Sequence, residues 1–125
     1  MIRTILLVAI GGGVGSALRL LVSRLVQENV AAGSFPLATM TVNVVGCLLI
    51  GLFYGMSSHG ALGHGDSMKT LLTTGLCGGF TTFSTFCNDS MLLMRGGQPL
   101  TALAYTACSL IVGLAAVAAG YWLAE

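Results

Sequence analysis

The chain has 125 residues, 55% of them hydrophobic and only 7% charged, and its mean hydropathy is +0.92. A soluble domain carries about 25% charged residues, so this chain cannot cover a water-facing surface and reads as an integral membrane protein. Its net charge of +1 leaves no basic footprint for nucleic acid. The four cysteines, Cys47, Cys77, Cys87 and Cys108, all fall in apolar segments and form no C-x-x-C pair. They read as small packing residues, not as a disulfide framework or a zinc site.

The first span is expected from about Thr4 to Val22, long enough for a hydrocarbon core that takes about 20 residues to cross. The start at Met1-Ile2-Arg3 has the look of a signal peptide and Gly15-Ser16-Ala17 that of a cleavage site, but the segment is read as a true span. Its glycine run, Gly11-Gly12-Gly13-Val14-Gly15-Ser16, lacks the Lys-Ser/Thr of a phosphate loop. Gly11 and Gly15 instead make a G-x-x-x-G pair suited to close helix packing. Arg19 either snorkels to the headgroups or stands as a positive charge at a pore mouth.

A polar connection is expected from Val22 to Phe35. The second span then runs from about Pro36 to Met56, with Pro36 suited to a first helical turn. Asn43 is an amide deep in this span, and Thr39, four residues earlier, shares its face. The pair makes either an interhelical hydrogen bond or the lining of a pathway. Gly51 and Gly55 form another small-residue pair. A loop follows from Ser57 to Ser67, and its His59, His64 and Asp66 read as solvated surface and not as a metal site.

The third span, from about Met68 to Met94, is the one the chain is organised around. It contains Gly75-Leu76-Cys77-Gly78-Gly79-Phe80-Thr81-Thr82-Phe83-Ser84-Thr85-Phe86. Adjacent glycines and a β-branched Thr pair favour a break there. The halves are expected at about Lys69–Cys77 and Phe83–Met94. Non-helical backbone at membrane depth survives only where it is buried in protein or lines a watery cavity. Half-helices meeting at a break also present N–H groups, carbonyls and hydroxyls, the materials of an ion site. Arg95-Gly96-Gly97-Gln98-Pro99 reads as a tight turn, and the fourth span runs from about Leu100 to Leu123. Tyr105, Ser109 and Gly113 form one stripe on it, either a helix contact or part of the lining. Nothing reads as a second domain, so residues 1–125 form a single four-span unit.

Four spans place both termini on one side. Arg3 and Lys69 then face one side, and Arg24 and Arg95, with or without Arg19, face the other. So small a difference barely directs insertion, and four spans make a thin bundle. Together these point to a homodimer, with an antiparallel arrangement as one form.

The candidate lining is Thr39, Asn43, Thr82, Ser84, Thr85 and Ser109 with the rings of Phe83 and Phe86. Asp89, toward one end of the third span, is the only acid in a span. A proton-coupled exporter places a carboxylate at mid-depth, and a cation pore needs rings of acid or stacked carbonyls. Neutral hydroxyl and amide donors and the positive edges of aromatic rings suit a small, strongly hydrated anion. The residues alone do not choose among anions.

The chain resembles the Fluc-type (CrcB) fluoride channels over essentially its full length. The resemblance rests on Gly12-Gly13-Val14-Gly15-Ser16-Ala17-Leu18-Arg19, Thr39-Met40-Thr41-Val42-Asn43-Val44-Val45-Gly46, the long motif Gly78-Gly79-Phe80-Thr81-Thr82-Phe83-Ser84-Thr85-Phe86, and Tyr105 with Ser109. It implies an all-α membrane protein with four transmembrane helices per chain, the third broken at mid-membrane. It further implies an antiparallel dual-topology homodimer with two fluoride pathways, multi-pass in the cell inner membrane, and no enzyme activity. Phe83 and Phe86 are then pore rings, Asn43 the pore amide, Tyr105 and Ser109 pathway hydroxyls and Arg19 a vestibule charge. A structural sodium ion at the dimer centre would be held by the carbonyls of Gly78 and Thr81. The family often has Ser and Glu after the last Phe of the motif, where this chain has Cys87 and Asp89. It commonly has Ala at Ser16. Two other readings are a small dual-topology proton-coupled multidrug transporter, which lacks its carboxylate here, and a non-transporting assembly subunit, which leaves the polar break unexplained.

Overall fold

The structure is a computed structural model and describes residues 1–29, 35–60 and 66–125. His64 and the connection at residues 30–34 lie outside the described residues. The chain's regular elements among the described residues are all helical: α1 (Ile2–Asn29), α2 (Leu37–Ser58), α3 (Asp66–Thr70), a π-helical stretch (Leu71–Cys77), α4 (Gly78–Phe80), α5 (Phe83–Arg95) and α6 (Pro99–Ala124). Among the described residues, α1, α2 and α6 are long and apolar enough to cross a membrane. The third expected crossing is the segment 66–95, whose longest uninterrupted α-helix, α5, has 13 residues.

Helix α1 outruns its expected end at Val22 by seven residues, reaching Asn29. Arg24, Gln27, Glu28 and Asn29 are all exposed on its last turns, and Asn29 turns its amide back onto the Leu25 carbonyl (2.8 Å). A helix that leaves the hydrocarbon keeps its backbone bonds, so the polarity of a sequence does not mark where it stops. The other ends fall close to expectation. Pro99 occupies the first turn of α6, where its missing N–H costs nothing. Gly97 closes the preceding turn at a φ of +79°, a conformation that favours glycine.

Glycines set the contacts, and the contacts give the headings. Between α2 and α6, Cys47 meets Gly113, Gly51 meets the backbone of Val117, and Gly55 meets Tyr121 and Ala124. The numbers rise together, so α2 and α6 run the same way. Between α1 and the rod at 66–80, Gly11 meets Leu71 and Leu76, Gly12 meets Gly79, and Gly15 meets Leu76 and Phe80. That pair is also parallel, and the G-x-x-x-G pair of α1 is its seam. Against α2 the segment runs the opposite way. Gly46 meets Phe80 and Thr81, Asn43 bonds Thr82, and Met40 and Phe86 pack on one small cluster formed by Leu93, Ala102 and Tyr105. The segment therefore keeps its heading through the break and returns the chain from the end of α2 to the start of α6.

Candidate functional site

The break falls at Thr81 and Thr82, which are extended (φ −83°, ψ 160° and φ −148°, ψ 118°). Of the two features expected to favour it, the Thr pair forms the break, whereas Gly78 and Gly79 are helical. A Cβ on Gly79 would land on the Gly12 backbone of α1, so that glycine serves close approach rather than bending.

Asn43 makes the break. The Thr82 N–H donates to its Oδ1 (2.8 Å), and its Nδ2 donates to the Thr82 carbonyl (3.0 Å). One side-chain amide thus pairs with one peptide unit, as a neighbouring strand would. The Thr82 hydroxyl caps α5 by accepting from the Thr85 N–H (3.3 Å) and donates to the Thr85 hydroxyl (3.0 Å). Thr81 stays tied to the rod behind it, with its N–H and its hydroxyl both donating to the Cys77 carbonyl (2.9 Å each).

A groove of about 280 Å³ runs along the break between α2 and the segment, with Asn43, Gly78, Thr81, Thr82, Phe83 and Phe86 in its walls. Thr73 and Cys77 line it too, which the sequence reading missed. Four-residue spacing with Thr81 was the available signal. Phe83 is 77% exposed, and its ring centroid lies 6.1 Å from that of Phe86. Phe86 in turn lies 5.1 Å from Tyr105, which is fully buried and whose hydroxyl reaches Asp89 at 3.5 Å. Thr39 is buried one turn before Asn43. Ser84 and Thr85 are exposed at the start of α5. The Ser109 hydroxyl oxygen is sealed from solvent without a partner among the described residues. Arg19 is half-buried on α1. Thr39, Ser84, Thr85, Tyr105, Ser109 and Arg19 do not line the groove; Asn43, Thr82, Phe83 and Phe86 do.

The structure also bears on a cation. In an unbroken helix the Gly78 carbonyl would accept from the Thr82 N–H, but Asn43 takes that proton. The Thr81 carbonyl would accept from the Thr85 N–H, which the Thr82 hydroxyl takes. Both carbonyls therefore lose their helical donors, and both residues line the same groove. Two neutral oxygens of this kind fit a hard cation. Two oxygens are too few to enclose one by themselves. Among the described residues no cluster of three His, Cys, Asp or Glu side chains exists to hold a metal. The described cysteines are all free thiols, with Cys77 buried and Cys87 and Cys108 exposed.

A family model described as CrcB-like protein, Camphor Resistance (CrcB), matches residues 6–121. A protein of Phocaeicola vulgatus named fluoride-specific ion channel FluC is 39% identical over 123 residues, covering 98% of this chain and 99% of its own. Relatives of the same name in Methylobacillus flagellatus, with 97% of this chain and 94% of theirs covered, and in Aquifex aeolicus, with 94% of each, are both 44% identical.

Proposed function

The chain belongs to the CrcB-like family, and on that premise we propose that it is a fluoride-selective ion channel through which fluoride leaves the cell passively. It is a channel and not an enzyme. Hydrogen fluoride is a weak acid that crosses membranes and dissociates inside, so fluoride accumulates and needs an exit. The observation that carries the reading is the extended break at Thr81–Thr82, clamped by Asn43 beside Phe83 and Phe86. It sets the second amide N–H of Asn43 and the rings of Phe83 and Phe86 along one groove, with no Lys or Arg in its walls among the described residues. Such donors replace the water of a small anion without trapping it.

In the full reading the chain crosses the cell inner membrane four times, with the broken segment as its third crossing. It works as an antiparallel dual-topology homodimer. The nearly even division of Arg3 and Lys69 against Arg24 and Arg95 supports insertion both ways up, and the open groove supports a second copy. Phe83, Phe86, Asn43, Thr39, Thr82, Ser84, Thr85, Tyr105, Ser109 and Arg19 serve the two pathways. A sodium ion at the dimer centre is held by the Gly78 and Thr81 carbonyls of both copies, tying the two breaks together.

The test is fluoride release from loaded liposomes carrying the purified protein, followed with a fluoride electrode. Rapid passive release is expected. Release that needs a proton gradient would replace the channel with an exchanger, and no release above protein-free liposomes would remove transport altogether.

A further inference from the structure

We infer that Phe35 is a further residue of the anion pathway, the outermost ring of a four-ring track. The inference rests on the fluoride reading above. The Phe35 ring stands perpendicular to Tyr105, with centroids 5.5 Å apart and an interplanar angle of 86°. Tyr105 continues to Phe86 at 5.1 Å, and Phe86 to Phe83 at 6.1 Å. The order in space is therefore Phe35, Tyr105, Phe86, Phe83. It joins Phe35, two residues before α2, to the groove at the break.

The two ends of the track are open and its middle is closed. Phe83 is 77% and Phe35 36% exposed, whereas Tyr105 is fully buried. An anion entering the track from the α1–α2 side first meets Phe35. An edge-to-face pair sets the positive rim of one ring toward the negative face of the other. The remaining rim of an exposed ring is then free to face an anion that is losing its water. A leucine there would lose the edge-to-face contact with Tyr105 and would offer no such rim. Phe35 is followed by Pro36, which fixes the chain direction into α2 and gives the ring a defined stance over Tyr105. The sequence reading passed over Phe35 because it closes a polar connection and belongs to none of the motifs.

Phe35→Leu and Phe35→Tyr, reconstituted as intact protein beside the wild type, separate the outcomes. Phe35→Leu is expected to slow fluoride release about three- to tenfold with the elution volume of the purified protein unchanged. Phe35→Tyr, which keeps the ring, is expected to restore release to near the wild-type rate. Wild-type release in Phe35→Leu, or no rescue by Phe35→Tyr in a normally eluting protein, overturns the inference and leaves the fluoride reading standing. A wild-type protein that releases no fluoride removes both.

Discussion

Asn43 carries more of the site than its position suggests. A mid-membrane amide can bond a helix or line a path, and here its oxygen and one of its N–H groups are already committed to Thr82. The second N–H of the Nδ2 group remains for the groove. Asn43→Ala should leave the Thr82 N–H and carbonyl unpaired, at about 1–3 kcal/mol for each buried group, read as a lower unfolding temperature in detergent. Asn43→Asp keeps the acceptor but loses the donor and adds a negative charge. It should abolish fluoride release, and wild-type release from it would show that Asn43 does not face the ion. Phe83 and Phe86 differ in kind. Phe83 is exposed and touches little beyond Phe86, so Phe83→Ile should slow release while leaving stability unchanged. Phe86→Ile also loses the Tyr105 contact, so it should slow release and lower stability, by about 1 kcal/mol. Unchanged release in both would remove the aromatic lining. The clustering of Asn43 with the Thr and Phe residues of the motif was legible from the motifs. The clamp itself was not, because it joins residues 39 positions apart.

Among the elements, the broken segment departs most from what its sequence suggests. Gly78-Gly79 and the Thr81-Thr82 pair read together as the break, yet only the threonines leave the helix and the glycines stay helical. The reason is α1: Gly79 meets Gly12, and Gly15 meets Leu76 and Phe80, so the backbones touch where side chains would separate them. Gly79→Ala would push a Cβ into the Gly12 backbone, which cannot swing aside as a side chain can. It should cost about 1–3 kcal/mol of stability. Gly13→Ala, with open space around it, should cost nothing measurable, and equal thermal behaviour of the two would contradict the seam. The π-helical stretch Leu71–Cys77 was not legible at all. In an α-helix, residues four apart drift by about 40° at each step. Closing the turn on the fifth residue drifts such residues the other way, and the π stretch followed by the α-helical turn offsets one drift with the other. That keeps Gly75 and Gly79 both against α1 and Thr73, Cys77 and Thr81 all along the groove. Packing imposes this winding, and no composition signals it. The three long helices α1, α2 and α6 were legible because each is a long apolar run.

At the scale of the molecule, the parallel α2–α6 pair requires a full return between its members, and the segment 66–95 is that return. The charge balance that would orient the whole is almost nil: Arg3 and Lys69 at one end, Arg24 and Arg95 at the other. Added charge should therefore decide it. Two lysines appended after Glu125 should bias every copy one way up, and cells making only that version should lose fluoride resistance. Co-production with a copy biased the other way, by lysines placed next to Arg95, should restore it. Resistance retained by either version alone would rule out the antiparallel pair.

The clamp at Thr82 has one more consequence. Asn43, Thr81, Thr82 and Thr85 hold the joint, and none of these side chains gains or loses a proton in water or carries a formal charge. Neither acidification nor membrane voltage has a handle by which to unlatch it.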